Sequence, residues 1–157
     1  MTKITEHKAF KALNKPDSLY GHYQVSHDTR IFVKYLMKPT FSWSFQFNVN
    51  ELQAIGTDLN KAENVYLCLV CGEETICELD YEDFSGLIDV NAIERQKIVV
   101  EVPAGGSMHI KGSTGSLPNV VHHNSFPEKL FEERMIVQWF LGAIHFLNNS
   151  TESSAKC

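Results

Sequence analysis

From Phe41 to Asn48 the chain reads FSWSFQFN, four aromatic side chains strictly alternating with Ser42, Ser44, Gln46 and Asn48. A period of two marks a β-strand with one face against an apolar layer, because successive side chains leave the backbone on opposite sides. A helix would scatter these rings around its axis, so the segment commits the chain to a sheet with a bulky aromatic face. Aromatic rows on sheets also stack single-stranded bases, but such platforms stand among basic residues. Here the neighbours are serine, glutamine and asparagine, and packing against a helix is the favoured reading.

The remaining pattern supplies more strands and several helices. Alternation from Leu19 to Val25, the polar turn Ser26–Thr29, and a strand from Arg30 to Met37 read as a hairpin. Val65–Cys71 is a continuous apolar run followed by Gly72, Glu73, Glu74 and a second run, Ile76–Leu79. That is a hairpin whose first strand is buried on both faces at the centre of the sheet. Ile98–Val102 and Met108–Ile110 complete about seven short, mostly antiparallel strands. About four helices accompany them: residues 5–14, ended by Pro16; a helix opened by an Asn50/Gln53 cap with Leu52, Ile55 and Leu59 on one side; one capped by Asp80; and a long one from about 127 to 147 after Ser125 and Glu128. The class is α+β, with the long apolar helix packed on the sheet.

A length of 157 residues, 43% hydrophobic and 21% charged, is the material of one domain. It is assigned to 1–147, with a polar tail over 148–157. The formal charge of −5 argues against nucleic acid as the main partner, since such proteins present a basic face. The opening MTKITEHKAFKALNK has neither the apolar core nor the cleavage site of a secretory leader, so the expected location is the cytoplasm. The most apolar stretch, Met135–Leu147, is too short for a bilayer. Three of the four cysteines, Cys68, Cys71 and Cys77, crowd into one segment while Cys157 ends the chain, which is not a disulfide framework.

Several constellations have the residue types of a chemical site. Cys68-x-x-Cys71-Gly72 has the form of a zinc knuckle, yet in a strand residues three apart point to opposite faces, so inert core cysteines are the favoured reading and zinc the runner-up. His122 and His123 adjoin two glycine-rich loops, Gly105-Gly106-Ser107 and Gly112-Ser113-Thr114-Gly115, which have backbone NH groups to offer a small ligand. Neither loop fits a nucleotide-binding motif. The set His122, His123, Gly105, Gly106 and Ser113 is nevertheless the candidate ligand site, with tight turns as the competing reading. No cofactor is expected.

In the last helix nearly every face is apolar, and a surface helix needs only one such stripe. The economical expectation is a homodimer with Ile136, Trp139, Phe140, Ala143, Ile144 and Leu147 at the interface. The competing reading is a helix wrapped by its own chain.

The run Tyr20–Tyr35, with Trp43–Phe47, Val65–Gly72 and Thr75–Leu79, is similar in style to small bacterial proteins carried on mobile DNA, of the integron gene-cassette type. That resemblance spans about residues 19 to 131 and implies a compact α+β homo-oligomer. The same order resembles the sheet of PD-(D/E)XK nucleases, which implies a metal site drawn from Asp17, Asp28 and Lys34. In that family the position two before the lysine is an acid or glutamine, and here it is Phe32; the departure removes a ligand that holds the ion and implies an inactive sheet. The expected function is therefore a homo-oligomeric module that binds a protein or small molecule. The alternatives are a divergent metal-dependent nuclease or other hydrolase, and a small-molecule protein with its pocket at a subunit boundary.

Overall fold

The alternating segment does form a strand, but in a sheet separate from the apolar hairpin. The computed structural model describes residues 14–17, 21–26, 28–61, 64–122 and 126–127. In chain order they form β1 (Asn14–Asp17), β2 (His22–Ser26), β3 (Thr29–Leu36), β4 (Ser42–Phe47), α1 (Val49–Lys61), β5 (Asn64–Cys71), β6 (Thr75–Leu79), α2 (Tyr81–Ser85), β7 (Gln96–Glu101) and β8 (His109–Gly112). The strands make a five-stranded sheet in the order β1-β2-β3-β5-β6 and a three-stranded antiparallel sheet in the order β4-β7-β8.

This corrects the expectation of one mostly antiparallel sheet of seven strands with four helices. Eight strands lie in two sheets, and two helices stand among the described residues. At the centre of the larger sheet β3 and β5 run parallel, from Thr29 beside Asn64 to Leu36 beside Cys71. The reason lies in the crossover: the chain leaves β3, lays β4 into the other sheet, turns through α1 and returns in its original direction. Sequence neighbours alone would have suggested hairpins throughout.

No long apolar helix is found among the described residues, so that part of the expected architecture is withdrawn. Residues 128–157 lie outside them, and with them Ile136, Trp139, Phe140, Ala143, Ile144 and Leu147. Most of the expected first helix, 5–13, also lies outside, while Asn14–Asp17 is an edge strand. Proline is tolerated in an edge strand, one side of which has no ladder partner.

The main core lies between the two sheets and beneath the helices. Trp43, Phe45 and Phe47 of β4 are each 1% exposed, packed with Phe32, Leu67 and Leu69 of the larger sheet, Leu52 and Ile55 of α1, and Phe84 of α2. On the other face of the larger sheet, Ile31, Tyr66 and Cys68 cluster with Phe126. Two covered faces explain why β5 is an unbroken apolar run.

The helix starts show how local chemistry fixes the joints. Asn48 caps α1: its side-chain oxygen accepts from the Glu51 backbone NH at 2.9 Å, and Glu51 Oε2 accepts from the Asn48 NH at 2.9 Å. This reciprocal box sits two residues before the expected Asn50/Gln53 pair, and a glutamate at the third position also suits the helix dipole. Asp80 caps α2 as expected, accepting from the Asp83 NH at 2.9 Å.

Candidate functional site

The candidate zinc cysteines point to opposite faces of β5. Cys71 belongs to the main core and Cys68 to the second cluster, both essentially inaccessible. Burial pushes the Cys71 thiol up to about 12. Cys68 is raised well above its ordinary value by burial, and further by the Glu78 carboxylate opposite it in the ladder and by Cys77. Protonated thiols on opposite sides of a strand cannot share one ion. Among the described residues no group of three or more His, Cys, Asp and Glu side chains is placed to hold a metal.

The Gly112–Gly115 loop is built for close packing. Three successive NH groups already have acceptors: Gly112 donates to the Gly115 carbonyl at 2.7 Å, Ser113 to the Lys97 carbonyl at 3.0 Å and Thr114 to the Leu87 carbonyl at 3.0 Å. Ser113 Oγ accepts from the Lys97 NH at 2.9 Å. An anion nest needs successive free NH groups, and the run from Gly112 to Thr114 is engaged within the protein. Gly105, with φ 69°, turns the chain after Pro103, and the Gly106 NH donates to the Pro103 carbonyl at 2.9 Å. His122 is exposed, and His123 lies outside the described residues.

The nuclease-like set is not brought together. Asp28 precedes β3 and Lys34 lies near its far end, about 20 Å away at the rise of a strand. Asp28 Oδ1 accepts from Thr29 Oγ1 at 3.2 Å. Lys34 Nζ reaches Glu51 Oε1 at 2.6 Å and the Gln46 carbonyl, and stands 4.8 Å from the centre of the Phe47 ring. It pins the end of β4 and the start of α1 to β3. Asp17 lies opposite His22 in the β1–β2 ladder.

Sequence reasoning missed a buried polar group at the other end of α1. His22 Nε2 meets Asp58 Oδ2, Arg30 Nε approaches Asp58 Oδ1 at 3.7 Å, and the His22 ring stacks on Phe32 with centroids 4.4 Å apart. Asp58 is 4% exposed and His22 7%. Burial raises the Asp58 carboxyl above its ordinary value even though His22, Arg30 and Lys61 pull it down. An acid and a histidine closed from solvent, with a partly buried arginine, tie α1 to β2 and β3. The readable signal was Asp58 itself, a charged residue beside Ile55 and Leu59 on the helix face that packs inward.

The largest exposed apolar side chains of the larger sheet's end fall in one short stretch. Tyr35 is 72% exposed, Met37 60% and Phe41 69%. Phe41 opens the aromatic row yet lies just outside β4, where its carbonyl accepts from the Val102 NH at 2.8 Å. Beside it a groove of about 360 Å³ runs between Phe41, Trp43, Glu74 and the Pro103–Gly106 turn. A second groove of about 280 Å³ is lined by Met37, Lys38, Pro39, Glu73 and Glu74. Glu74 borders both, so an acidic side chain stands between the two grooves. The indole of Trp43, which lines the first, donates to the Lys38 carbonyl at 3.2 Å, fixing the connection between β3 and β4.

Against known proteins, no family model matches the chain, and no curated protein and no solved structure matches it.

Proposed function

We propose that the chain is a binding module whose recognition surface is the Phe41–Glu74 cleft, and that its partner is a polypeptide segment with an apolar anchor beside a basic residue. The observation that carries this reading is the contrast within one aromatic row: Trp43, Phe45 and Phe47 are each 1% exposed, and Phe41 is 69% exposed. A ring left in water gains nothing from the fold, whereas aromatic side chains in partly enclosed grooves anchor interfaces. Met37, in the adjoining groove, extends the apolar area, and methionine adapts to irregular partners. Glu73 and Glu74, both exposed, supply the charge that selects a basic neighbour and speeds encounter. Buried and protonated cysteines, the separation of Asp28 from Lys34, and the occupied donors of the glycine loop favour binding over hydrolysis.

The test pans a random peptide library displayed on phage against the full chain and titrates the enriched peptides calorimetrically. Enrichment of an aromatic or aliphatic residue adjacent to lysine or arginine is expected. Phe41→Ser should weaken those peptides about tenfold or more, as for an anchor residue, and Glu74→Lys should remove the salt dependence of binding. Absence of enrichment, or peptides bound equally by Phe41→Ser, overturns the reading.

A further inference from the structure

A second recess lies along α1, made of residues the cleft does not use. The helix and the turn after Ile88 border an open groove of about 480 Å³. Gln53, Gly56, Thr57 and Asn60 form its helical wall, at spacings that place them on one helix face. Val90, Asn91 and Ile93 form the other wall, and no charged residue lines it. Among the described residues, the side-chain amides of Gln53, Asn60 and Asn91 are bonded to no other protein group, while Ile93 beside them is 91% exposed.

Gly56 is the second observation. Glycine inside a helix is less stable than alanine and persists where a close approach excludes a Cβ. Here a Cβ would meet Val90 Cγ2 at 3.8 Å, an ordinary contact, with nothing nearer. Neither packing nor backbone conformation requires glycine at this point. Its missing methyl widens the floor between the two walls.

We propose that this groove binds a neutral polyhydroxylated ligand, a saccharide. Each side-chain amide carries donors and an acceptor, so three of them match hydroxyl groups, which also donate and accept. Val90 and Ile93 offer apolar contact to the C–H face of a sugar ring. With no lysine or arginine in the lining, no cation is there to pair with a phosphate or carboxylate. The volume lies in the range of small-ligand sites.

Saturation-transfer NMR on the full chain tests this with glucose, N-acetylglucosamine, maltotriose and glucose 6-phosphate as probes. Transfer to at least one neutral sugar is expected, with Gln53→Ala and Asn91→Ala each weakening it about tenfold, the loss of one hydrogen bond to a ligand. Gly56→Leu, which fills the floor, should abolish it, whereas Gly56→Ala should raise the melting temperature. If Gly56→Leu fails to fold, Asn91→Ala, which lies outside the helix, carries the test. No transfer from any neutral sugar, transfer unchanged in Asn91→Ala, or stronger binding of glucose 6-phosphate than of glucose each overturns the proposal.

Discussion

The carbonyl oxygen of Leu87 stands where a side chain on Gly112 would begin, well inside van der Waals contact of an added Cβ. The same carbonyl accepts from the Thr114 NH at 3.0 Å, so neither partner is free to retreat. Gly112→Ala should therefore destabilise the protein by about 2 to 3 kcal/mol, as overpacking against fixed neighbours does. Gly105 has open space around it and φ 69°, so Gly105→Ala should cost only the left-handed penalty of about 1 to 2 kcal/mol. Urea unfolding of both variants checks the order; a larger loss at 105 than at 112 would contradict it.

The aromatic row divides at the start of β4. Trp43→Ala should cost about 3 to 5 kcal/mol, the loss expected for a buried large aromatic. Phe41→Ser, on an exposed ring, should change stability by less than about 0.5 kcal/mol. Thermal and urea denaturation of the pair measure the contrast, and equal losses would place Phe41 in the core.

Asp58 makes stability depend on pH with a definite sign. Its folded-state pKa is raised, chiefly by burial, so the folded protein holds that proton more tightly than the unfolded chain. Its contribution is fully present below the ordinary aspartate value of about 3.9 and is lost as pH rises through the raised value. Asp58→Asn, which stays neutral, should therefore gain on the wild type as pH increases from about 4 to 8, the range above the ordinary aspartate value. His22, Arg30 and Lys61 are the charged or titratable groups that face it. Urea midpoints of both proteins across that range decide; a difference that shrinks with rising pH would reverse the assignment.

Thiol chemistry gives a further check. Cys68, Cys71 and Cys77 are buried, and Cys71 at about 12 carries almost no thiolate at neutral pH, the form that reacts. In a Cys157→Ser variant, Ellman's reagent at pH 8 should release no colour until denaturant is added. Rapid reaction of any thiol in the native protein would show that the β5–β6 hairpin is not enclosed as described.

What the sequence made legible follows from how local each signal is. The row in β4, the two-faced burial of β5 and the Asp80 cap depend on neighbouring residues only, and each is present in the structure. The Asn48/Glu51 box and the Asn50/Gln53 pair share one pattern two residues apart, and only the helix start distinguishes them. The polar group around Asp58 was half readable: its place on the inward helix face is visible, but His22 and Arg30 become its partners only through the packing of α1 on β2 and β3. Alternation likewise cannot show where β4 begins, so Phe41 looks like Trp43 until the register with β7 is known. The cleft and the α1 groove are made by segments distant in sequence, and no local pattern marks either.

The crossover between β3 and β5 makes the two sheets hostage to one another. Because β4 is threaded into the smaller sheet midway between two adjacent strands of the larger, neither sheet is drawn from an unbroken length of chain. A cut anywhere from Leu36 to Asn64 would leave each fragment with an unfinished sheet, so the two layers do not form a pair of separable modules. Assembly of the larger sheet's middle must wait until about 35 residues of loop have been closed, an entropic hurdle that non-local parallel pairings meet before any contact rewards them. The architecture thus trades quick assembly for a body in which the walls of both recesses are tied to the same knot of strands.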